Sequence, residues 1–271
     1  MECISFVGAG PGAPDLITLR GQTRLRDADI VIWASSLIPE EMLAWTNGVC
    51  MDSAEMTLED VLEVFEANPD RRIVRLHSGD PSIYGAIQEQ ISWCEASHRP
   101  FEIVPGVTSI SAAAAAVGRE LTIPEVAQSV VTTRVARRTS QSMPESESLA
   151  RYAQLGGTIA VLLSGAHPQR IVDELLADGS RFDTTTPCAV VVRATWPDEQ
   201  VAMTTIGELV ATVNELGAKR TLLVLVGDVL TATNIQRSHL YSPTFSHRFR
   251  SRSNPGTTSG RAKRRANRSV R

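Results

Sequence analysis

Three short segments of this 271-residue chain carry the residue types from which a small-molecule site is built. The first, Val7-Gly8-Ala9-Gly10-Pro11-Gly12-Ala13-Pro14, follows an apolar run and places glycine at alternate positions, where a missing side chain lets a ligand lie against the main chain. A glycine loop after a strand invites a dinucleotide reading, with a pyrophosphate at a helix N terminus. Two details oppose it. That fingerprint wants an acid about 20 residues on, at the end of the second strand, to hold a ribose hydroxyl. Here the second strand ends Ile32-Trp33-Ala34-Ser35-Ser36, with Asp27 and Asp29 in front of it. Pro11 also removes a backbone N–H that a phosphate cradle would use. The loop is suited to a ligand approaching main chain, and that ligand need not be a phosphate.

The second segment, Leu76-His77-Ser78-Gly79-Asp80-Pro81-Ser82-Ile83-Tyr84-Gly85, again closes a strand, and open α/β sheets bind ligands at the carboxyl ends of their strands. Gly79 permits close approach and Asp80 supplies a fixed negative charge; Asp80 reads equally well as a turn former or as the cap of the following helix. In the third segment, Val104-Pro105-Gly106-Val107-Thr108-Ser109, a hydroxyl pair opens a helix, a role compatible with ligand contact. His77 and Asp80 are the conceivable general bases. A histidine at a strand end is also an ordinary structural residue, so no general base is assigned.

Apolar runs alternate with amphipathic stretches, the order of an α/β architecture. Strands are expected at Cys3–Val7, Ile30–Trp33, Val49–Met51, Ile73–His77 and Glu102–Val104. Helices are expected at Leu19–Arg26, Glu40–Trp45, Leu58–Ala67, Ala86–Glu95 and Ser109–Val117, the Leu58 helix opening at Thr57 or Ser53 and ending at Asn68-Pro69. Ala112 through Ala116 give the last helix a small face against which something must pack closely. The pattern weakens over 118–127 and resumes with strands at Ser129–Thr133, Thr158–Leu163, Ala189–Arg193, Val201–Thr204 and Leu222–Val226, and helices at Glu147–Leu155, Gln169–Leu176 and Ile206–Glu215. This divides the chain into an N-terminal α/β domain over 1–117, a linker over 118–127, a C-terminal α/β domain over 128–241 and a tail over 242–271. Arg134–Glu147 reads as a long polar loop.

The formal charge of −3 hides an asymmetry, because nine Lys and Arg residues lie between Arg248 and Arg271 while no acid follows Asp228. The remaining 18 basic and 30 acidic side chains give a body charge of about −12. The tail is polar and basic, the composition of a disordered segment, and the acidic body argues against a specific nucleic-acid partner. No apolar run reaches the roughly 20 residues needed to span a bilayer, and no basic stretch leads an apolar one at the N terminus, so a cytoplasmic protein without a membrane partner is expected. Cys3, Cys50, Cys94 and Cys188 are too scattered for a disulfide framework or a zinc site, and no metal is expected.

In this order and spacing the three segments resemble the tetrapyrrole (corrin/porphyrin) methylase superfamily over about residues 2–230. The resemblance implies two α/β domains with a cofactor cleft between them, S-adenosylmethionine bent into that cleft, a small-molecule tetrapyrrole substrate and a homodimer. Position by position it implies cofactor contacts from Pro11, Ser78, Gly79, Asp80, Ile83, Thr108 and Ser109, and from Ser164 and Ala194 in the second half. It implies a substrate-facing loop at Ser35 and Ser36, where the family commonly has glycine at the position of Ser35. The loop from Thr133 is longer than in relatives, which carry an acid near Ala136. A substrate bearing many carboxylates needs local arginines to reverse the field of an acidic body, and Arg134 and Arg138 are the candidates, with Arg137 beside them and Arg75 and Arg119 behind. Within the superfamily, methylation of uroporphyrinogen is the nearest rival reading; a nicotinamide-dependent oxidoreductase and a non-catalytic tetrapyrrole-binding protein are the rivals of other classes.

Overall fold

The computed structural model describes residues 1–135, 143–218, 220–233 and 235. The first half holds β1 (Ile4–Gly8), α1 (Leu19–Asp27), β2 (Ile30–Trp33), β3 (Val49–Asp52), α2 (Leu58–Ala67), β4 (Ile73–His77), α3 (Gln88–Ala96), β5 (Phe101–Val104) and α4 (Ser109–Val117), with a 3-10 helix at Glu40–Trp45. Its sheet runs β3-β2-β4-β1-β5 and every pairing is parallel. Alternate residues of these strands feed two cores, as the two-residue period of a strand dictates. Ile4, Phe6, Ile32 and Ile73 pack on Val61 and Phe65 of α2 and Ile91 and Cys94 of α3. Val7, Val31, Val74 and Leu76 pack on Leu25 of α1 and on Met42. Each such burial contributes about 1.5–3 kcal/mol, which is why a parallel sheet covered on both faces reads as continuous apolar runs.

The chain leaves β1 for β2 and β3, returns to fill β4 beside β1, and then crosses to β5 on the far side. The carboxyl ends of β4, β1 and β5 therefore lie next to one another, at the crevice where such sheets bind ligands.

The second half holds β6 (Val130–Arg134), α5 (Leu149–Leu155), β7 (Thr158–Leu162), α6 (Pro168–Leu175), β8 (Pro187–Val192), β9 (Gln200–Thr205), α7 (Leu209–Glu215) and β10 (Leu222–Val226). Its sheet runs β6-β7-β10-β8-β9, with β6 and β7 parallel and the other pairs antiparallel. Helices α5, α6 and α7 cover one face through Leu149, Ile171, Leu175, Leu209 and Val213. On the other face Ala160, Ala189, Val191, Leu223 and Leu225 meet Ala113 of α4 and Ile123. The small residues of α4, a helix that leaves the first sheet, thus let it lie against the second. Thr158 Oγ1 donates to the Leu121 carbonyl at 2.9 Å and fastens the connecting segment to the same sheet.

Local sequence explains the element ends. Thr57, rather than Ser53, opens α2, in a reciprocal capping box with Asp60. The helix expected from Ala86 begins instead at Gln88, because Tyr84 and Ala86 stand at φ +55° and +49°, left-handed values that no α-helix accommodates. The helix expected from Glu147 begins at Leu149, capped by the Ser148 side chain, after a 3-10 turn over Glu145–Glu147. All four cysteines are free. Among the described residues no helix is long and apolar enough to cross a membrane, and no group of three or more His, Cys, Asp and Glu side chains is placed to hold a metal.

Candidate functional site

The three segments singled out in the sequence meet at the carboxyl ends of β1, β4 and β5. Gly10 and Gly79 exchange two main-chain hydrogen bonds, at 3.2 and 2.7 Å, and the Ala9 amide donates to the His77 carbonyl at 2.7 Å. A Cβ on Gly106 would stand 2.1 Å from the Gly79 oxygen and 2.8 Å from the Gly8 Cα, so three loops touch main chain to main chain. Asp80 locks them: its carboxylate accepts the Gly106 amide at 2.9 Å and the Ser82 amide at 2.8 Å. The acid is therefore a strut between loops, and α3 begins without a side-chain cap.

Beyond Asp80 the chain makes a tight turn in which a Cβ on Gly85 would stand 2.1 Å from the Pro81 oxygen. That turn leaves Ile83 and Tyr84 exposed at 39% and 45%. Burial raises the pKa of the Tyr84 phenol, the field of Arg134 opposes the rise, and Tyr152 and Glu147 add to it. The loop after β4 thus faces Arg134 at the end of β6 and two side chains from the start of the α5 region. Left-handed residues gather on the second sheet's side as well, at Leu163 after β7 and at Arg193 and Thr195 after β8. Non-glycine residues hold such conformations only where their surroundings enforce them.

The two halves are joined at the glycine loop. Nε1 of Trp196 donates to the Pro11 carbonyl at 3.0 Å, and the Ala13 amide donates to Thr195 Oγ1 at 2.9 Å. The loop after β1, and through it the loops after β4 and β5, is thus fastened to the loop after β8.

The family model for tetrapyrrole (corrin/porphyrin) methylases matches residues 4–210 of the chain. The chain belongs to this family. Among relatives, the precorrin-4 C(11)-methyltransferase of Pseudomonas aeruginosa is 43% identical over 251 residues, 91% of this chain and 98% of that protein. The cobalt-precorrin-4 C(11)-methyltransferase of Methanocaldococcus jannaschii is 41% identical over 251 residues, 91% and 95% of the two chains. A solved cobalt precorrin-4 methyltransferase superimposes with a TM-score of 0.81 at 38% identity, covering 85% of this chain and 96% of its own. Uroporphyrin-III C-methyltransferase from Thermus thermophilus, solved with S-adenosylhomocysteine, gives 0.70 at 27% identity, covering 85% and 99%.

In this tetrapyrrole methylase the residues expected from the sequence to touch a cofactor fall in two groups. Pro11, Ser78, Gly79, Asp80, Ile83, Thr108 and Ser109 lie on the three converging loops, with Ser78 and Ile83 exposed and Thr108 capping α4 through the Ser111 amide at 3.4 Å. Ser164 and Ala194 lie on the loops after β7 and β8. The buried Ser164 hydroxyl donates to the Leu162 carbonyl at 2.7 Å and accepts the Val135 amide at 2.8 Å. The Pro11 carbonyl accepts from Trp196 Nε1.

The residues expected from the sequence to face a substrate are more spread. Ser35 and Ser36 are exposed after β2, and the Ser35 amide donates to Asp52 Oδ1 at 3.1 Å. Hydrogen bonds from Ser35, then from the Ala54 amide, hold the Asp52 carboxyl below its usual range. Arg134 is half-buried at the end of β6, and Arg137 and Arg138 lie outside the described residues. Arg75 and His77 share one face of β4, and Arg75 Nη1 donates to the Ile32 carbonyl at 3.3 Å. Burial lowers the Arg75 pKa to about 10, and burial followed by the Arg75 charge lowers that of His77 to about 3. His77 is neutral and packed 6.2 Å from the Phe6 ring, the environment of a structural histidine. Sequence reasoning missed Asp52, Leu163, Thr195 and Trp196. Trp196-Pro197 after a strand was a visible signal; the left-handed Leu163 and the partner of Asp52 were not.

Proposed function

We propose that this methylase transfers the methyl group of S-adenosylmethionine to C11 of precorrin-4, or of its cobalt form, in the synthesis of cobalamin. The observation that carries the reading is the extent of the likeness to the Pseudomonas aeruginosa precorrin-4 C(11)-methyltransferase, which runs across both sheets and nearly the whole of each chain. The assignment of cofactor rests on the chemistry of the loops. The segments 8–14, 78–86 and 105–109 carry no basic side chain, and they present carbonyls, hydroxyls and one carboxylate. A cationic sulfonium ligand with an ammonium group suits that set, and a pyrophosphate does not. A Cβ on Gly79 would meet nothing nearer than the main chain of Thr108 and Ser109, at 3.8 Å, so the α-carbon faces the gap between loops rather than packed chain.

S-adenosylmethionine supplies an electrophilic methyl group on sulfur. The chain's own contribution is alignment and the exclusion of water. Loops of the two halves form the walls, with Ser78, Gly79, Asp80, Ile83, Thr108 and Ser109 facing Ser164 and Ala194. Ser35, Ser36 and Arg134, with Arg138, receive the tetrapyrrole, whose carboxylates pair with the guanidinium groups. The ring carbon is itself electron-rich, so no side-chain nucleophile is required and no general base is assigned. The protein acts in the cytoplasm as a homodimer.

The reading is tested by incubating the purified chain and S-adenosylmethionine with precorrin-4, cobalt-precorrin-4 and uroporphyrinogen III in parallel. S-adenosylhomocysteine forms with one or both of the first two. Turnover of uroporphyrinogen III alone would move the assignment to that substrate. Binding of NAD(H) with no affinity for S-adenosylmethionine would replace it with an oxidoreductase, and tetrapyrrole uptake without turnover with a binding protein.

A further inference from the structure

We propose that Gly12, Thr195 and Trp196 form a latch that holds the two walls of the cleft at their working separation before the cofactor arrives. They act as positioning residues for methyl transfer. The inference rests on the cofactor assignment above and adds to it how the site is kept ready.

Two hydrogen bonds join segments more than 180 residues apart, Trp196 Nε1 to the Pro11 carbonyl and the Ala13 amide to Thr195 Oγ1. They flank Gly12, and a Cβ there would stand 2.3 Å from Trp196 Cδ1, 2.5 Å from its Nε1 and 2.9 Å from Thr195 Oγ1. The third glycine of the loop is thus explained by the docking of an indole, with no ligand needed.

The receiving loop is braced from its own side. The Arg193 guanidinium lies 4.1 Å over the indole ring and its Nε donates to Asp198 Oδ1 at 2.6 Å. The Thr195 amide donates to Glu199 Oε2 at 2.6 Å, and the Trp196 amide to the Arg193 carbonyl at 2.9 Å. Arg193 and Thr195 are held at φ +49° and +69°, the kind of strain that persists where contacts over-determine it. This arrangement aims Trp196 and Thr195 together at one short stretch of the glycine loop.

The position of the latch decides its role. Pro11 precedes Gly12, and Ala194 lies between the two left-handed residues; these are proposed cofactor contacts from opposite halves. Fixing Gly12 against Trp196 fixes the spacing of Pro11 and Ala194. Helix α4 against the second sheet also holds the halves together, so loss of the latch loosens these loops without separating the domains. A cofactor that binds only the closed arrangement then has its affinity reduced by the fraction of molecules that are closed.

The test uses the full-length chain, four single variants and one double. Trp196→Phe keeps the ring and its stacking but lacks the N–H, Thr195→Val lacks the acceptor, and Gly12→Ala forces a methyl against the indole. Each is expected to weaken S-adenosylhomocysteine binding by calorimetry about tenfold, the loss expected for one buried hydrogen bond. The KM for S-adenosylmethionine should rise by a similar factor while kcat at saturation stays within about twofold, the pattern of lost ground-state positioning. In the Trp196→Ala background, Gly12→Ala should cost much less than in the wild type, since the indole is gone and only the 2.9 Å approach to Thr195 Oγ1 remains. Amide exchange at Ala13 in the ligand-free protein should be slow, and fast in Thr195→Val. Equal cost of Gly12→Ala in both backgrounds, unchanged affinity in the single variants, a fall in kcat without a change in KM, or fast exchange at Ala13 in the wild type each overturns the latch. A wild type with slow Ala13 exchange and no affinity for S-adenosylhomocysteine refutes the cofactor assignment instead, and the positioning role with it.

Discussion

The carboxylate of Asp80 lies 2.9 Å from the Gly106 amide nitrogen, so a side chain from the loop after β4 anchors the loop after β5. Its other oxygen accepts from Ser82. Asp80→Asn keeps one acceptor and sets an NH2 against an amide donor. It should cost about 1–3 kcal/mol of stability, the range for a broken charge-assisted hydrogen bond. Urea unfolding checks this, and calorimetry should show S-adenosylmethionine binding weakened at least about tenfold.

Gly106→Ala tests the close approach of the loops. The new methyl would stand 2.1 Å from the Gly79 oxygen, a contact against main chain that no rotamer relieves. The ends of β1, β4 and β5 must part, at about 1–3 kcal/mol for overpacking of this kind. Loss of cofactor binding in a variant that still unfolds cooperatively is the expected result.

His77 makes stability depend on pH. Its pKa is about 3 in the folded chain against 6.5 for a free side chain, so between those values the unfolded state binds more protons. Its contribution is therefore constant above about pH 6.5 and turns against the fold as pH drops, by about 2 kcal/mol at pH 5. The loss in urea midpoint between pH 7 and pH 5 should be larger for the wild type than for His77→Gln. Equal losses would place the imidazole in water.

Arg134→Ala, alone and with Arg138→Ala, should weaken tetrapyrrole binding about tenfold or more while leaving S-adenosylmethionine affinity intact, because a guanidinium paired with a carboxylate makes a strong, geometrically specific contact. Calorimetry with each ligand separates the two. Unchanged tetrapyrrole affinity in the double variant would remove these arginines from the substrate site.

Much of the fold was legible because local and tertiary preferences agree. Ile30–Trp33 and Leu222–Val226 are buried apolar runs, and Thr57 and Asn68 bracket α2. The converging loops were legible for a similar reason, since Gly8, Gly79 and Gly106 each close a strand. Ala86 misled because its residue type favours a helix while the turn from Pro81 forces it left-handed. The Trp196 contact with Pro11 and the engagement of Ser164 by Val135 were hidden for another reason. The first depends on how two sheets meet and the second on how β6 and β7 align within one sheet, and nothing local to either segment encodes the partner.

The central claim is tested most directly by letting the purified chain turn over precorrin-4, with and without cobalt, in the presence of S-adenosylmethionine carrying an isotopically labelled methyl group, and locating the label in the product by NMR. The account predicts a single labelled methyl group, on C11. Label at another ring position, or none while S-adenosylmethionine remains bound, would contradict it.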